Sequence, residues 1–139
     1  MSEESTPSDP VAVVTSMFEA ADRGDWDAVL RSYAPDATLE SEDGITDQAG
    51  ASQMRGFWEE WAGMFEDWTI KVETVVDLGN GVVYAVYNSQ GRPAGSTAVV
   101  TERACFILEW VNGTIARAIV GTDIDDARAA AERRAQERG

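Results

Sequence analysis

The chain has 139 residues, a formal net charge of −14, 44% hydrophobic residues, one cysteine and no histidine. This length and composition suit one folded domain with its own core, and the charge argues against nucleic acid or an anionic membrane surface as a partner. Lack of histidine removes the usual zinc ligand and the Ser-His and Cys-His triads, while a lone Cys105 excludes an internal disulfide and fits a reducing cytoplasm.

Residues 1–9 are polar and acidic and read as a disordered tail, with the domain over 10–139. Asp9-Pro10 starts the first helix, a cap followed by proline at the first helical position. Val14, Met17, Phe18 and Ala21 form its apolar stripe. Gly24-Asp25 breaks that helix and Asp25 caps the next. In the second helix Trp26, Val29, Leu30 and Tyr33 fall at i, i+3, i+4 and i+7. Trp26 is placed there to anchor the pair of helices on a core. Pro35 ends the helix, Asp36 turns the corner, and Ala37–Ser41 reads as a short strand.

Residues 42–49 are expected to be a polar loop. A third helix is predicted from about Gly50 to Phe65, with Met54, Phe57, Trp58, Trp61 and Met64 at helical spacing. Strands follow over Trp68–Asp77, Val82–Ser89, Ser96–Trp110 and Thr114–Thr122. Asn80-Gly81 and Asn112-Gly113 are the hairpin turns, and Gln90–Gly95 is a longer one. Asp123 caps a final helix. No apolar run approaches the ~18–20 residues of a membrane span.

Helices first and antiparallel strands after give an α+β fold. Strands of about ten residues exceed the usual length, so the sheet is expected to curl, with three helices filling its concave side. Val82, Tyr84 and Val86 alternate with Val83 and Ala85, which makes both faces of one strand apolar. One helical layer covers only one face, so a homodimer through the convex face is expected.

The runs Phe18–Trp26 and Tyr33–Ala37, Gly50 before the third helix, and Trp110–Ile115 between the last strands are similar to the SnoaL-like branch of the nuclear transport factor 2-like (NTF2-like) superfamily. The resemblance spans roughly Val11 to Ala131 and implies a cone-shaped α+β barrel around an apolar pocket. It further implies cofactor-independent acid–base chemistry, although the superfamily also contains binding modules. The catalytic sets of its better-known enzymes do not carry over. At the steroid isomerase positions stand Met17, Ser41 and Cys105 or Phe106, with a partner tyrosine kept as Tyr33 and another replaced by Trp58. The limonene-type epoxide hydrolase positions hold Ser89, Tyr87 and Val120, and scytalone-type dehydratases require histidine.

Candidates for chemistry are therefore Glu102, Glu40 and Tyr33. A carboxylate in an apolar pocket has its charged form disfavoured and can act as a base near neutral pH. Glu102 faces the pocket if the even residues of its strand do; otherwise Arg103 and Cys105 face it, and one bulge reverses the choice. Met17, Phe18, Trp58, Trp61, Asn88 and Phe106 are the candidate ligand contacts, with no metal and no cofactor. Three functions fit: a cofactor-independent isomerase, cyclase or lyase acting on a small apolar molecule, a non-catalytic binder of such a molecule, or a dimeric association module.

Overall fold

The computed structural model describes residues 9–41 and 46–139. The tail read over 1–9 and the start of the loop read over 42–49 lie largely outside these residues. In chain order the elements are α1 (Pro10–Asp22), α2 (Trp26–Leu30), β1 (Tyr33–Ser41), β2 (Thr46–Ala49), α3 (Ala51–Gly63), β3 (Phe65–Gly79), β4 (Val82–Pro93), β5 (Val100–Val111), β6 (Thr114–Gly121) and α4 (Ile124–Arg138). The six strands form one sheet in the order β2-β1-β6-β5-β4-β3. All neighbours pair antiparallel except β1 and β6, which are parallel. The fold is α+β.

Local chemistry sets the element ends. Asp9 Oδ1 accepts from Ala12 N at 3.1 Å, and Asp25 Oδ1 accepts from Ala28 N at 3.2 Å. Between these caps, Gly24 takes φ +75°. Its N–H donates to Ala21 O (3.0 Å), and that of Asp25 donates to Ala20 O (2.9 Å), a Schellman closure of α1 that delivers the cap of α2. Asn80-Gly81 and Asn112-Gly113 all have positive φ, as hairpin turns with the right twist require.

Several boundaries differ from the sequence reading, among them the end of α3, at Gly63 and not Phe65. First, α2 stops at Leu30, and Tyr33 opens β1 instead of ending a helix. The N–H of Ile115 donates to Ser32 O at 2.8 Å, so β6 captures the chain before a second helical turn forms. Pro35 lies in the irregular part of the β1–β6 pairing, between Tyr33 and Thr38, where its missing N–H is tolerated. Second, residues 46–49 form β2, an edge strand on β1. Third, β3 begins at Phe65 and β4 runs to Pro93. Phe65 crosses Gly91 so closely that a Cβ there would lie 2.7 Å from the Phe65 Cβ. Fourth, β5 begins at Val100, four residues later than expected.

The sheet is covered on both sides. One core lies between α1–α3 and the face carrying Leu39, Val83, Ala85, Ala104 and Leu108. The second lies under α4, whose Ala127, Ala131 and Ala135 pack on Val82, Tyr84, Val86, Cys105, Ile107 and Ile119. Spacing of four residues aligns these alanines on one side of the helix and lets it lie close to the sheet. Tyr84 Oη donates to Ile124 O (2.9 Å), and Arg138 donates to the carbonyls of Trp110 (2.6 Å) and Gly81 (3.1 Å). The second apolar face on which a homodimer was expected is thus covered within the chain, and that argument for a dimer falls away. Among the described residues, no helix is long and apolar enough to cross a membrane.

Candidate functional site

Between α1–α3 and the sheet lies a cavity of about 300 Å³, at the small end of ligand pockets. Exposed Asp47 and Phe57 mark its mouth, and buried Leu39 and Leu108 its depth. Alternation on the strands sets the lining. On β4 the odd residues Tyr87 and Ser89 face in; on β5 the even residues Glu102, Phe106 and Leu108 do. The register pairs Ser89 with Glu102 and Tyr87 with Ala104, so these side chains share one face. The parity left open by the sequence is therefore resolved in favour of Glu102. Cys105 belongs to the core under α4, and Arg103 is paired with Glu73.

The walls are aromatic and fall into two groups. Phe18, Tyr87 and Phe106 form one, with ring centroids 5.3–6.2 Å apart. Trp26 forms the other with Trp58 (6.0 Å, stacked) and Trp68 (6.3 Å), and Tyr33 meets Trp58 edge-on at 5.7 Å. Four of the five tryptophans line the cavity, so most of this residue type serves the cavity and not the closed core.

Polar groups are few. The hydroxyls of Tyr33, Tyr87 and Ser89 and the carboxylate of Glu102 have no hydrogen-bond partner among the described residues, although all four residues line the cavity. Burial raises the phenol of Tyr33 well above the usual range. Burial raises that of Tyr87 likewise, with further contributions from the charges of Glu102 and Cys105. Both phenols are therefore protonated donors at any physiological pH. The arrangement offers hydrogen-bond donors and a carboxylate acceptor inside an oily enclosure. Among the described residues no group of three or more His, Cys, Asp or Glu is gathered as a metal ion would need.

Of the residues singled out from sequence, Tyr33, Glu102, Met17, Phe18, Trp58, Trp61 and Phe106 line this cavity. Two do not. Asn88 has the opposite parity to Tyr87 and donates to Glu73 Oε2 at 2.8 Å. Together with Arg103 it pulls the Glu73 carboxyl down to about 2, the guanidinium acting most strongly. Glu40 has the opposite parity to Leu39 and lies on the α4 side of the sheet. Arg117 grips its carboxylate with two bonds of 2.7 and 2.8 Å, and Thr38 Oγ1 donates a third at 2.8 Å. Arg117 holds the Glu40 carboxyl below its ordinary value, against the upward effect of burial and with help from Thr38 and Arg134. A carboxylate so satisfied is a poor base and is out of reach of the cavity.

Tyr87, Ser89, Trp68 and Asp47 were not among the sequence candidates. For Tyr87 and Ser89 the signal was the alternation with Val83 and Ala85, which lacks a phase until the strand is placed. Asp47 lies on β2, which has no hydrophobic alternation to reveal it.

A SnoaL-like domain model matches residues 14–118. No protein of the curated set matches. Solved structures resemble the chain at low identity. An NTF2-like protein of unknown function from Burkholderia pseudomallei superposes with TM-score 0.71 at 16% identity, covering 88% of this chain and 97% of that one. An uncharacterised cystatin-fold protein from Novosphingobium aromaticivorans gives 0.70 at 14%, covering 79% and 95%. A hypothetical protein with a ketosteroid isomerase-like fold from Catenulispora acidiphila, solved in complex with trimethylamine, gives 0.67 at 18%, covering 83% and 85%. At these identities the likeness is one of fold.

Proposed function

The chain belongs to the SnoaL-like domain family, and from that premise we propose that it binds a small, largely apolar molecule in the cavity between α1–α3 and the sheet. One observation carries this reading: Glu102 and the hydroxyls of Tyr33, Tyr87 and Ser89 line an aromatic cavity without hydrogen-bond partners among the described residues. These four groups are not among the fully buried unpartnered side-chain atoms, so water reaches them in the free cavity, and whatever displaces that water has to satisfy them in its place. A ligand with a polar end and an apolar body does so, and its body meets the tryptophan and phenylalanine walls. Native mass spectrometry after gentle purification tests this. A small molecule that travels with the protein and is lost from Trp58→Ala supports it, and its retention by that variant overturns the site assignment.

A second reading assigns a reaction to the same groups. Glu102 is an acceptor for a substrate proton, and the Tyr33 phenol is a donor to a substrate oxygen, the pairing used for proton transfer next to a carbonyl. It would make the protein a cofactor-independent isomerase, cyclase or lyase.

Both readings give Tyr33 the same test. Tyr33→Phe is expected to weaken ligand binding or turnover about five- to tenfold, the worth of one hydrogen bond. Stability should change by less than about 0.5 kcal/mol, because the hydroxyl has no partner to lose and the ring keeps its contact with Trp58. Ligand titration and urea denaturation of the same preparation measure both. A stability loss above about 1.5 kcal/mol with unchanged binding would show the hydroxyl to be a structural group.

A further inference from the structure

We propose that the ligand of this cavity carries a positive charge on an apolar frame, an organic ammonium in place of a neutral or anionic compound. The inference rests on the reading of the cavity as a ligand site. It begins with an inventory. Among the described residues the lining includes two carboxylates, Glu102 and Asp47, and no lysine or arginine, although the chain has eleven basic residues. The cations near the sheet are engaged elsewhere. Arg103, next to Glu102 in sequence, faces the other way and binds Glu73 at 2.7 Å; Lys71 binds Asp22 at 2.6 Å; Arg117 binds Glu40 at 2.7 Å. Glu102 has no ion-pair partner among the described residues.

Each ligand class meets this site differently. An anion meets two carboxylates and no cation, within a chain of net charge −14, and is repelled. A neutral apolar molecule is accommodated by the walls, but it strips water from Glu102 and offers no compensation, which costs free energy. An ammonium pairs with Glu102 and sets its alkyl groups against ring faces. Trp26, Trp58 and Trp68 stand on one wall and Phe18, Tyr87 and Phe106 on another, and indole is the strongest of the aromatic partners for a cation. Asp47 at the mouth adds attraction on approach. Burial, with a smaller contribution from Glu102, pushes the Tyr87 phenol upward, so Tyr87 stays a neutral ring and adds no repulsion to a cation.

The test uses three probes of similar shape on the full-length protein: benzyltrimethylammonium, its neutral isostere neopentylbenzene, and benzylsulfonate. Binding is read from tryptophan fluorescence, since four tryptophans line the site. The expected order is the cation tighter than the isostere by roughly tenfold or more, with no saturable binding of the sulfonate. Glu102→Gln should weaken the cation by roughly tenfold and leave the isostere within about twofold. Asp47→Asn, at an exposed position, keeps the question answerable if Glu102→Gln fails to fold, and should weaken the cation alone by roughly two- to threefold. If the isostere binds as tightly as the cation, the charge inference is overturned while the pocket reading stands. If no probe binds, both are overturned.

Discussion

Replacing Trp110 with alanine is expected to remove about 3–5 kcal/mol of folding stability, the usual loss for truncating a large buried aromatic. Trp110 is 1% exposed and heads the fully buried side chains by volume. Its backbone is held as firmly as its ring. Its N–H donates to Gly81 O at 2.8 Å, and its carbonyl accepts from Arg138 at 2.6 Å, so β5, the β3–β4 turn and the end of α4 converge on it. A site fixed from three sides collapses little when emptied, which favours the upper part of that range. The indole Nε1 is buried with no hydrogen-bond partner among the described residues. Trp110→Phe should therefore cost only about 1–2 kcal/mol, because it removes an unsatisfied donor together with some packing. Urea denaturation separates the two variants. Equal losses would mean that the ring volume beyond a phenyl group, and not the aromatic anchor, holds the site.

Trp26 is the instructive contrast. Read from sequence, it anchors the helical pair, since it follows the Asp25 cap and starts an apolar face. In the structure it is half-buried, stacks on Trp58 and meets Trp68 at a tilt along the cavity wall. Its spacing was legible, but the use of its ring was not, because helical periodicity marks an inward face without telling a filled core from a cavity. The same limit applies to α3, whose Trp58 and Trp61 line the cavity while Met54 is the residue fully enclosed. Caps and turns were legible for the opposite reason. Asp9, Asp25 and Asp123, with the two Asn-Gly pairs, act on backbone groups three residues away or fewer, so sequence contains the whole interaction. Tyr33 failed as a helical residue because its fate is decided by β6, some eighty residues downstream. The assignment of Glu40 failed through parity: a shift of one residue along β1 exchanges the cavity for the α4 face.

That α4 face carries a connected set of buried charges, and Arg117→Met is expected to cost about 2–3 kcal/mol near pH 7. Arg117 bridges Glu40, at 2.7 Å, and Glu109, at 3.4 Å; Arg134 from α4 reaches Glu109 at 2.7 Å. Both carboxylates are nearly enclosed, at 8% exposure each. Removing Arg117 leaves Glu109 its Arg134 but leaves Glu40 only the Thr38 hydroxyl as a hydrogen-bond donor, with the charge of Arg134 as a weaker support. The cost should then depend on pH with a definite sign. Glu40's carboxyl in the folded protein titrates below its ordinary 4.5, chiefly through Arg117. A group with a depressed folded pKa contributes stability that is fully present above its unfolded value and is lost as pH falls through the folded one. In the variant, burial acts on Glu40 without the guanidinium, and protonation then relieves the fold. The gap between wild type and Arg117→Met should accordingly shrink as pH drops from about 5 to below 4. Taking the difference cancels the repulsion of the other surface carboxylates, which both proteins share. Arg23→Met serves as control, because its partner Asp25 and its own guanidinium are solvent-exposed and such pairs contribute at most about 1 kcal/mol. A gap between wild type and Arg117→Met that stays constant from pH 7 to pH 3.5 would assign the cost to lost packing of the arginine stem, and the ion pair would contribute nothing net to the fold.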